Sequence, residues 1–380
     1  MKLRNPSVRR IWIVGLLLFY FTGTTAHGIE SPLPQATAVY GVIATDPLYL
    51  WMAQEKSFFK KNGVNIDLTH IPTNQAVQAL VGGKIQFTTA GPQILEAALA
   101  GADTVYIMCP INNFVLSLYG KPDINGVKGL AGKTVGATNK GTPSDIAGRM
   151  VLAQNGLKPD VEVKFAYLKE LPALVAALKE GVIDAALIAA PSTLTARGFG
   201  LKELLNITAL KIPFVQHSVA TTRSYISSNP DIVRRFVRGA AEGLDYTRKN
   251  RTDALAVMSK YTKITDPAQL NEALDAYGNA WERIPAPSQT AIEAVLASSE
   301  NPKAKNAKWD QFVDDRFIKE LTRRARLSNP NTTRPVFHSR SYGTESCSLT
   351  SRKPLSTVLC NGMPCSALSC AVSNSISPAT

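Results

Sequence analysis

The chain has 380 residues, 45% of them hydrophobic and 19% charged, with a formal net charge of +13. That gives room for two or three domains with substantial cores, and it excludes wholesale disorder. The positive balance does not make a nucleic-acid surface. Four of the charges (Lys2, Arg4, Arg9, Arg10) sit in the first 26 residues and a net three in the tail from residue 328; the other six are spread along the middle without a Lys/Arg stripe.

The basic residues up to Arg10 precede an apolar run over 11–21, and Thr24-Thr25-Ala26 then offers a small-x-small site. This is the pattern of a signal peptide over 1–26, cleaved near Ala26. The run is shorter than the roughly 20 residues of a membrane span, so an uncleaved anchor is the alternative to an exported mature chain. A Pro-containing linker over 31–34 leads to a strand over 38–43. Thr45-Asp46-Pro47 then opens a helix, with Asp46 as N-cap and Pro47 at the first helical position. Gly63 ends that helical region, and a strand follows over 64–68. Thr73 or Asn74 caps the next helix, whose apolar positions Ala76, Val77, Leu80 and Val81 recur at helical spacing. A strand over 85–89, a Gly91-Pro92 turn and a helix over 93–100 come next.

After apolar stretches at 105–108 and 115–119, the turn-rich segment 120–132 reads as a crossing into a second region. That region repeats the first about 98 residues later. A strand begins at Lys133, and Thr142-Pro143 opens a helix with Asp145 as its acidic third position. A strand over 161–165, a helix over 171–179 and a strand over 183–188 complete the copy. Residues 210–215 are the return crossing. Helices then cover 230 onward, 252–261, 267–280, 288–298 and 309–323 and buttress the first region. From residue 328 the composition turns to Ser, Thr, Asn, Pro, Arg and Cys without periodicity, which reads as a disordered tail or the product of a frameshift near Thr322.

Two similar α/β units in one chain predict two lobes with a ligand cleft between them. In open α/β sheets, ligands bind beyond the carboxyl ends of the strands. In the first unit that edge holds Thr45, Asp46, Tyr49, Thr73, Asn74, Gly91 and Pro92. In the second it holds Asn139, Gly141, Thr142, Ser144, Ala190 and Pro191. Each taken singly is an ordinary capping or turn motif; their common edge makes them the candidate ligand-binding residues. His217, just past the return crossing, either lines the cleft or fills a packed hinge.

Catalytic and cofactor signatures are thin. The four histidines, His27, His70, His217 and His338, show no helical metal-binding spacing. No G-x-S-x-G elbow is present. Residues 136–143 hold two glycines at phosphate-loop spacing, but Thr142-Pro143 stands where Lys-Ser/Thr is required. Cys109 lies in an apolar stretch and reads as core; Cys347, Cys360, Cys365 and Cys370 lie in the tail, where three disulfide pairings are open to them. No metal, no cofactor and no nucleic-acid partner is expected.

Several of these segments together resemble one known group. They are Pro47-Leu48-Tyr49-Leu50-Trp51-Met52-Ala53, Phe58-Phe59-Lys60-Lys61-Asn62-Gly63, Ala79-Leu80-Val81-Gly82-Gly83-Lys84-Ile85-Gln86-Phe87, Gly129-Leu130-Ala131-Gly132-Lys133-Thr134-Val135-Gly136 and Gly141-Thr142-Pro143-Ser144. The group is that of periplasmic substrate-binding proteins of the nitrate/sulfonate/taurine type, together with the binders of thiamine-pyrimidine precursors. The resemblance spans residues 36–322. It implies a type II periplasmic-binding-protein fold: lobe 1 over 36–119 plus 216–322 with the C-terminal helices, and lobe 2 over 120–215. It further implies a periplasmic, non-enzymatic protein that captures a small solute and passes it to the permease of an ABC importer, touching the membrane only through that permease. The ligand loops it implies are 45–49, 73–74, 91–92 and 139–144. Some members carry an acid where Ala189-Ala190-Pro191 stands here, which speaks against an amine ligand; the hydroxyls and helix N-termini lean to a small anion or zwitterion. An enzyme of pyrimidine or cofactor-precursor metabolism on the same fold, or an exported sensing subunit of a membrane receptor, are the alternatives.

Overall fold

In a computed structural model, which describes residues 32–328, the chain forms two five-stranded mixed sheets. The expected signal peptide and the tail beyond Ser328 lie outside the described residues. The strands of the first sheet are β1 (Gln35–Tyr40), β2 (Asn65–His70), β3 (Phe87–Ala90), β4 (Thr104–Asn113) and, from much later, β10 (Pro213–Thr222). Those of the second are β5 (Ser117–Gly120), β6 (Thr134–Ala137), β7 (Lys164–Tyr167), β8 (Ala185–Ile188) and β9 (Lys202–Asn206).

The orders, β2-β1-β3-β10-β4 and β7-β6-β8-β5-β9, are the same. In each sheet the first three strands are parallel and the fourth runs antiparallel to both neighbours. Four of the five equivalent strand pairs begin 98 or 99 residues apart, as Gln35 and Thr134 or Thr104 and Lys202 do. The repeat read from the sequence is thus a repeat of topology. Each antiparallel strand, β5 or β10, is the first strand after a crossing. The first crossing lies between Asn113 and Ser117, ahead of the expected 120–132: Tyr119 already pairs with Ala186 of β8. The return lies between Asn206 and Pro213.

Helices of the first unit are α1 (Leu48–Glu55), α2 (Phe58–Lys61), α3 (Thr73–Val81) and α4 (Gln93–Leu99); those of the second are α5 (Pro143–Gln154), α6 (Leu171–Lys179) and α7 (Ser192–Gly198). Then follow α8 (Arg223–Ser228), α9 (Pro230–Lys249), α10 (Arg251–Thr262), α11 (Pro267–Gly278), α12 (Gln289–Ser298) and α13 (Arg316–Ser328). The expected helix over 309–323 is broken. A 3-10 turn at Trp309–Phe312 is followed by an extended Val313, bridged to Tyr106 of β4, and the Asp314 N–H donates to the Tyr106 carbonyl at 2.8 Å before α13 starts. Pairing with a sheet edge outweighs helix continuation there.

The core of the first unit explains why its helix pattern looks uniformly apolar. Residues Leu48 to Ala53 of α1 are all buried, because α9 and α10 cover the face turned away from the sheet. Trp51 stacks on Tyr261 of α10 at 4.7 Å, and Phe59, Phe236 and Phe87 form a second stack joining α2, α9 and β3. Helix α9 crosses α1 at Gly243, where an added Cβ would lie 2.3 Å from the Tyr49 carbonyl oxygen. Not every C-terminal helix serves the first unit alone: Glu272 of α11 accepts from Thr193 at 2.8 Å and pairs with Arg197 at 2.6 Å, both on α7. No helix among the described residues is long and apolar enough to cross a membrane.

Candidate functional site

The carboxyl ends of β1, β3, β6 and β8 face a cavity of about 380 Å³ between the two sheets. That volume is in the range of small-molecule sites. Of the residues expected there, Asp46, Thr73, Asn74, Gly91, Asn139, Thr142, Ser144 and His217 line it. Thr45, Tyr49, Pro92, Gly141, Ala190 and Pro191 do not.

On the second sheet's side, β6 ends at Ala137 and the loop to α5 presents three hydroxyls. Thr138 Oγ1, Thr142 Oγ1 and Ser144 Oγ lie 2.9 to 3.0 Å from one another. Thr142 has the extended backbone of an N-cap and Pro143 follows as the first helical residue, as the sequence indicates. Its side chain does not cap, however. Thr142 Oγ1 donates to the Asn139 carbonyl at 2.6 Å, and Ser144 Oγ accepts from the Thr138 N–H at 3.1 Å. Asp145 holds the loop from below. It accepts from the Gly141 N–H at 2.9 Å, Arg149 Nε at 2.8 Å and the Tyr167 hydroxyl at 2.9 Å. Gly141 sits at φ +75°, a region open to glycine, so it shapes the loop without facing the cavity.

On the first sheet's side the chain turns at Gly41, where any Cβ would strike Thr73 Oγ1 at 2.4 Å. The Gly41 N–H donates to Thr89 Oγ1 and its carbonyl accepts from Thr73 Oγ1, tying the ends of β1, β3 and α3 together. Thr73 therefore braces the turn instead of capping α3, whose N-cap is Pro72. Asp46 is likewise not the cap of α1; Pro47 is. The Asp46 carboxylate is buried and accepts from the Tyr277 hydroxyl at 2.8 Å, with the Gln216 side chain nearby. Burial raises its pKa, while the Tyr277 bond and the Gln216 side chain pull it down.

His217 lines the cavity and is not simply hinge filling. Its Nε2 lies 3.3 Å from the Tyr49 hydroxyl, and burial lowers its pKa to about 3, so the ring is neutral near pH 7. Tyr49 is buried behind it, packed in the core rather than against the cavity. Thr45 is also buried, its hydroxyl on Met258 Sδ at 3.6 Å. Cys109 is buried as expected; its thiol faces the His217 and Ile111 carbonyls, and burial pushes its pKa up.

Several lining residues escaped the sequence reading. The loop 169–172 is the repeat counterpart of the loop at Pro72, so the 98-residue offset applied to that loop would have found it. Gln216 adjoins His217. Tyr277 comes from α11, and nothing local marks it.

The arrangement can hold a small polar molecule by hydrogen bonds from both sides. Among the described residues it brings together no pair of nucleophile and poised base: the His217 ring titrates too low to work as a base near neutrality, and Cys109 is not among the cavity's lining residues.

Comparison with known proteins agrees with this frame. A curated relative, the riboflavin-binding protein RibY of Chloroflexus aurantiacus, is 24% identical over 244 residues, 61% of this chain and 68% of RibY. Among solved structures, a protein of Bordetella bronchiseptica RB50 superposes with a TM-score of 0.69 at 17% identity, covering 79% of this chain and all of the other. The alkanesulfonate-binding protein SsuA of Xanthomonas axonopodis pv. citri, bound to MOPS, superposes with a TM-score of 0.59 at 20% identity, covering 75% and 96%. The family model described as NMT1/THI5 like matches residues 45–254, more than half the chain and most of both units. With the shared sheet topology, the cleft at the strand ends and this match, the chain belongs to the NMT1/THI5-like family and has the periplasmic-binding-protein fold.

Proposed function

We propose that this protein is an exported solute-binding protein that captures one small organic solute between its two units and delivers it to the permease of an ABC importer. The observation that carries the reading is the cavity itself: about 380 Å³, lined from both sheets by hydrogen-bonding groups, with no reactive pair in it. Two lobes joined by the short connections 114–116 and 207–212 act as a hinge. The solute binds the closed arrangement better and shifts the population towards it. The family match and the likeness to SsuA support the role. The N-terminal 26 residues serve as the export signal, and contact with the membrane is made only through the permease.

Native mass spectrometry of protein purified without denaturation is the test. A small adduct at unit stoichiometry, lost on unfolding, is expected. Turnover of a panel of sulfonates, carboxylates and pyrimidines without a retained adduct would replace the reading with an enzyme on the same fold.

A further inference from the structure

The two walls of the cavity differ in polarity, and the first sheet's wall lacks the cation that an anionic solute needs. Asp46 is 6% exposed and is the buried charged group among the lining residues. Among the described residues no arginine lines the cavity, and the one lysine there, Lys169, is exposed on the second sheet's side next to the exposed Glu170. The Tyr277 hydroxyl is spent on the carboxylate and Thr73 Oγ1 on the Gly41 carbonyl. Beside Asp46, Gln216 Oε1 is buried without a partner. A buried acceptor left unpaired is costly unless something donates to it.

We infer that the cavity takes a solute carrying a cationic nitrogen group, an ammonium or amidinium, whose N–H bonds are received together by Asp46 and Gln216 Oε1. This rests on the solute-binding function proposed above and names its solute class. An ammonium or amidinium meets both conditions at once: it neutralises the buried carboxylate and supplies the second donor. A sulfonate or carboxylate in the same place would meet two acceptors and a like charge. Of the features that lean towards an anion, the three-hydroxyl cluster lies on the second sheet's wall only. The amine role that Ala189-Ala190-Pro191 speaks against is restored by an acid on the opposite unit. The hydroxyls of Thr138, Thr142 and Ser144 are left to recognise the polar remainder of the solute.

The test uses the full-length protein and an equimolar mixture of size-matched probes: benzylamine and benzamidine, benzyl alcohol, benzoate and benzenesulfonate. Native mass spectrometry reads which are retained, and calorimetry gives their affinities. Retention of benzylamine or benzamidine at one per chain is expected, with affinity at least tenfold weaker in Asp46→Asn. Gln216→Leu, which leaves the Asp46–Tyr277 bond in place, should weaken the same probe at least threefold. It keeps the test alive if Asp46→Asn does not fold. Preferential retention of benzoate, benzenesulfonate or benzyl alcohol would overturn the inference while leaving the solute-binding function standing. So would cationic binding that is unchanged in the folded variants. Retention of no probe of any class would count against the solute-binding function itself, and the inference would fall with it.

Discussion

After β1 the chain turns at Gly41 and runs through Asp46 into α1, an eight-residue helix with six buried residues. After β6 it runs through the Thr138–Ser144 hydroxyls into α5, which buries six residues of twelve. The two segments occupy equivalent places in sheets of identical order, yet α1 is covered on its far side by α9 and α10. Covering turns the first segment's polar side chains inward, so Thr45 and Tyr49 become core and Asp46 becomes cavity floor. Helix α5 packs on β6 and β8 instead, and Thr142 and Ser144, though buried, keep their hydroxyls at the cavity wall. Equivalence of topology therefore does not carry over to equivalence of chemistry at strand ends.

The contrast can be broken hardest at the glycines. In Gly243→Ala the new methyl lies 2.3 Å from the Tyr49 carbonyl oxygen and 2.8 Å from Ala53 Cβ, so α9 and α1 must separate. We expect a loss of about 3 kcal/mol in urea unfolding. In Gly136→Ala of β6 the methyl meets the ends of Ile183 and Leu174, at 2.6 and 2.7 Å, which can rotate away. About 1 kcal/mol is expected. Equal losses would show that α1 is no more tightly confined than β6.

Next in size is Asp145→Ala. It removes the acceptor of the Gly141 N–H, Arg149 Nε and the Tyr167 hydroxyl at once. A loss of about 2 kcal/mol follows from charge-assisted bonds of this kind. Solute affinity should drop as well, because the hydroxyl loop loses its brace. A destabilised variant with unchanged affinity would mean that the loop holds its shape without Asp145.

Much of this fold was legible in the sequence. The 98-residue repeat, the punctuation at Gly63, Pro143 and Gly156, and the 3.6-residue pattern of α3 and α9 are local signals, and they place most of the elements up to β8 and the long C-terminal helices within a few residues, while α7, β9 and β10 carry no such signal. The first crossing was misplaced because β5 is only four residues long and looks like the end of the preceding apolar stretch. At the site, residues on strand-end loops of the second unit could be found by the carboxyl-end rule, as Asn139, Thr142 and Ser144 show. Asp46 was placed correctly but given the wrong job. Asp before Pro at a helix start is an ordinary cap, and only a partner 231 residues away, Tyr277, reveals the alternative. Tertiary pairing of that kind leaves no mark on local pattern.

The pH dependence sharpens the contrast from the first unit's side. With the folded pKa of His217 at about 3 against an ordinary 6.5, the unfolded chain binds the extra proton between those values. The contribution of His217 to stability is thus full above pH 6.5 and falls as pH drops towards 3. The slope reaches at most about 1.4 kcal/mol per pH unit. Asp46, whose folded pKa is raised from 3.8, acts in the opposite sense, gaining stability as the acid is protonated. Urea midpoints of the wild type and of His217→Gln, followed from pH 7.5 to 4.5, separate the two. The variant should lose most of the acid-side fall. An unchanged fall would place the responsible group elsewhere.

The smallest effects distinguish lining from backing. Thr142→Ala loses the 2.6 Å bond to the Asn139 carbonyl and a hydroxyl lining the cavity. We expect about 1 kcal/mol of stability lost and about tenfold weaker solute binding, by the same factor-of-ten scale of one hydrogen bond. Tyr49→Phe removes only a hydroxyl 3.3 Å from His217 Nε2, in a ring that does not line the cavity. Its effect on affinity should stay under about threefold, since it can act on the solute only through His217. If Tyr49→Phe weakens binding as much as Thr142→Ala, the covered helix α1 reaches the solute after all, and the division between a backing helix and a lining loop does not hold.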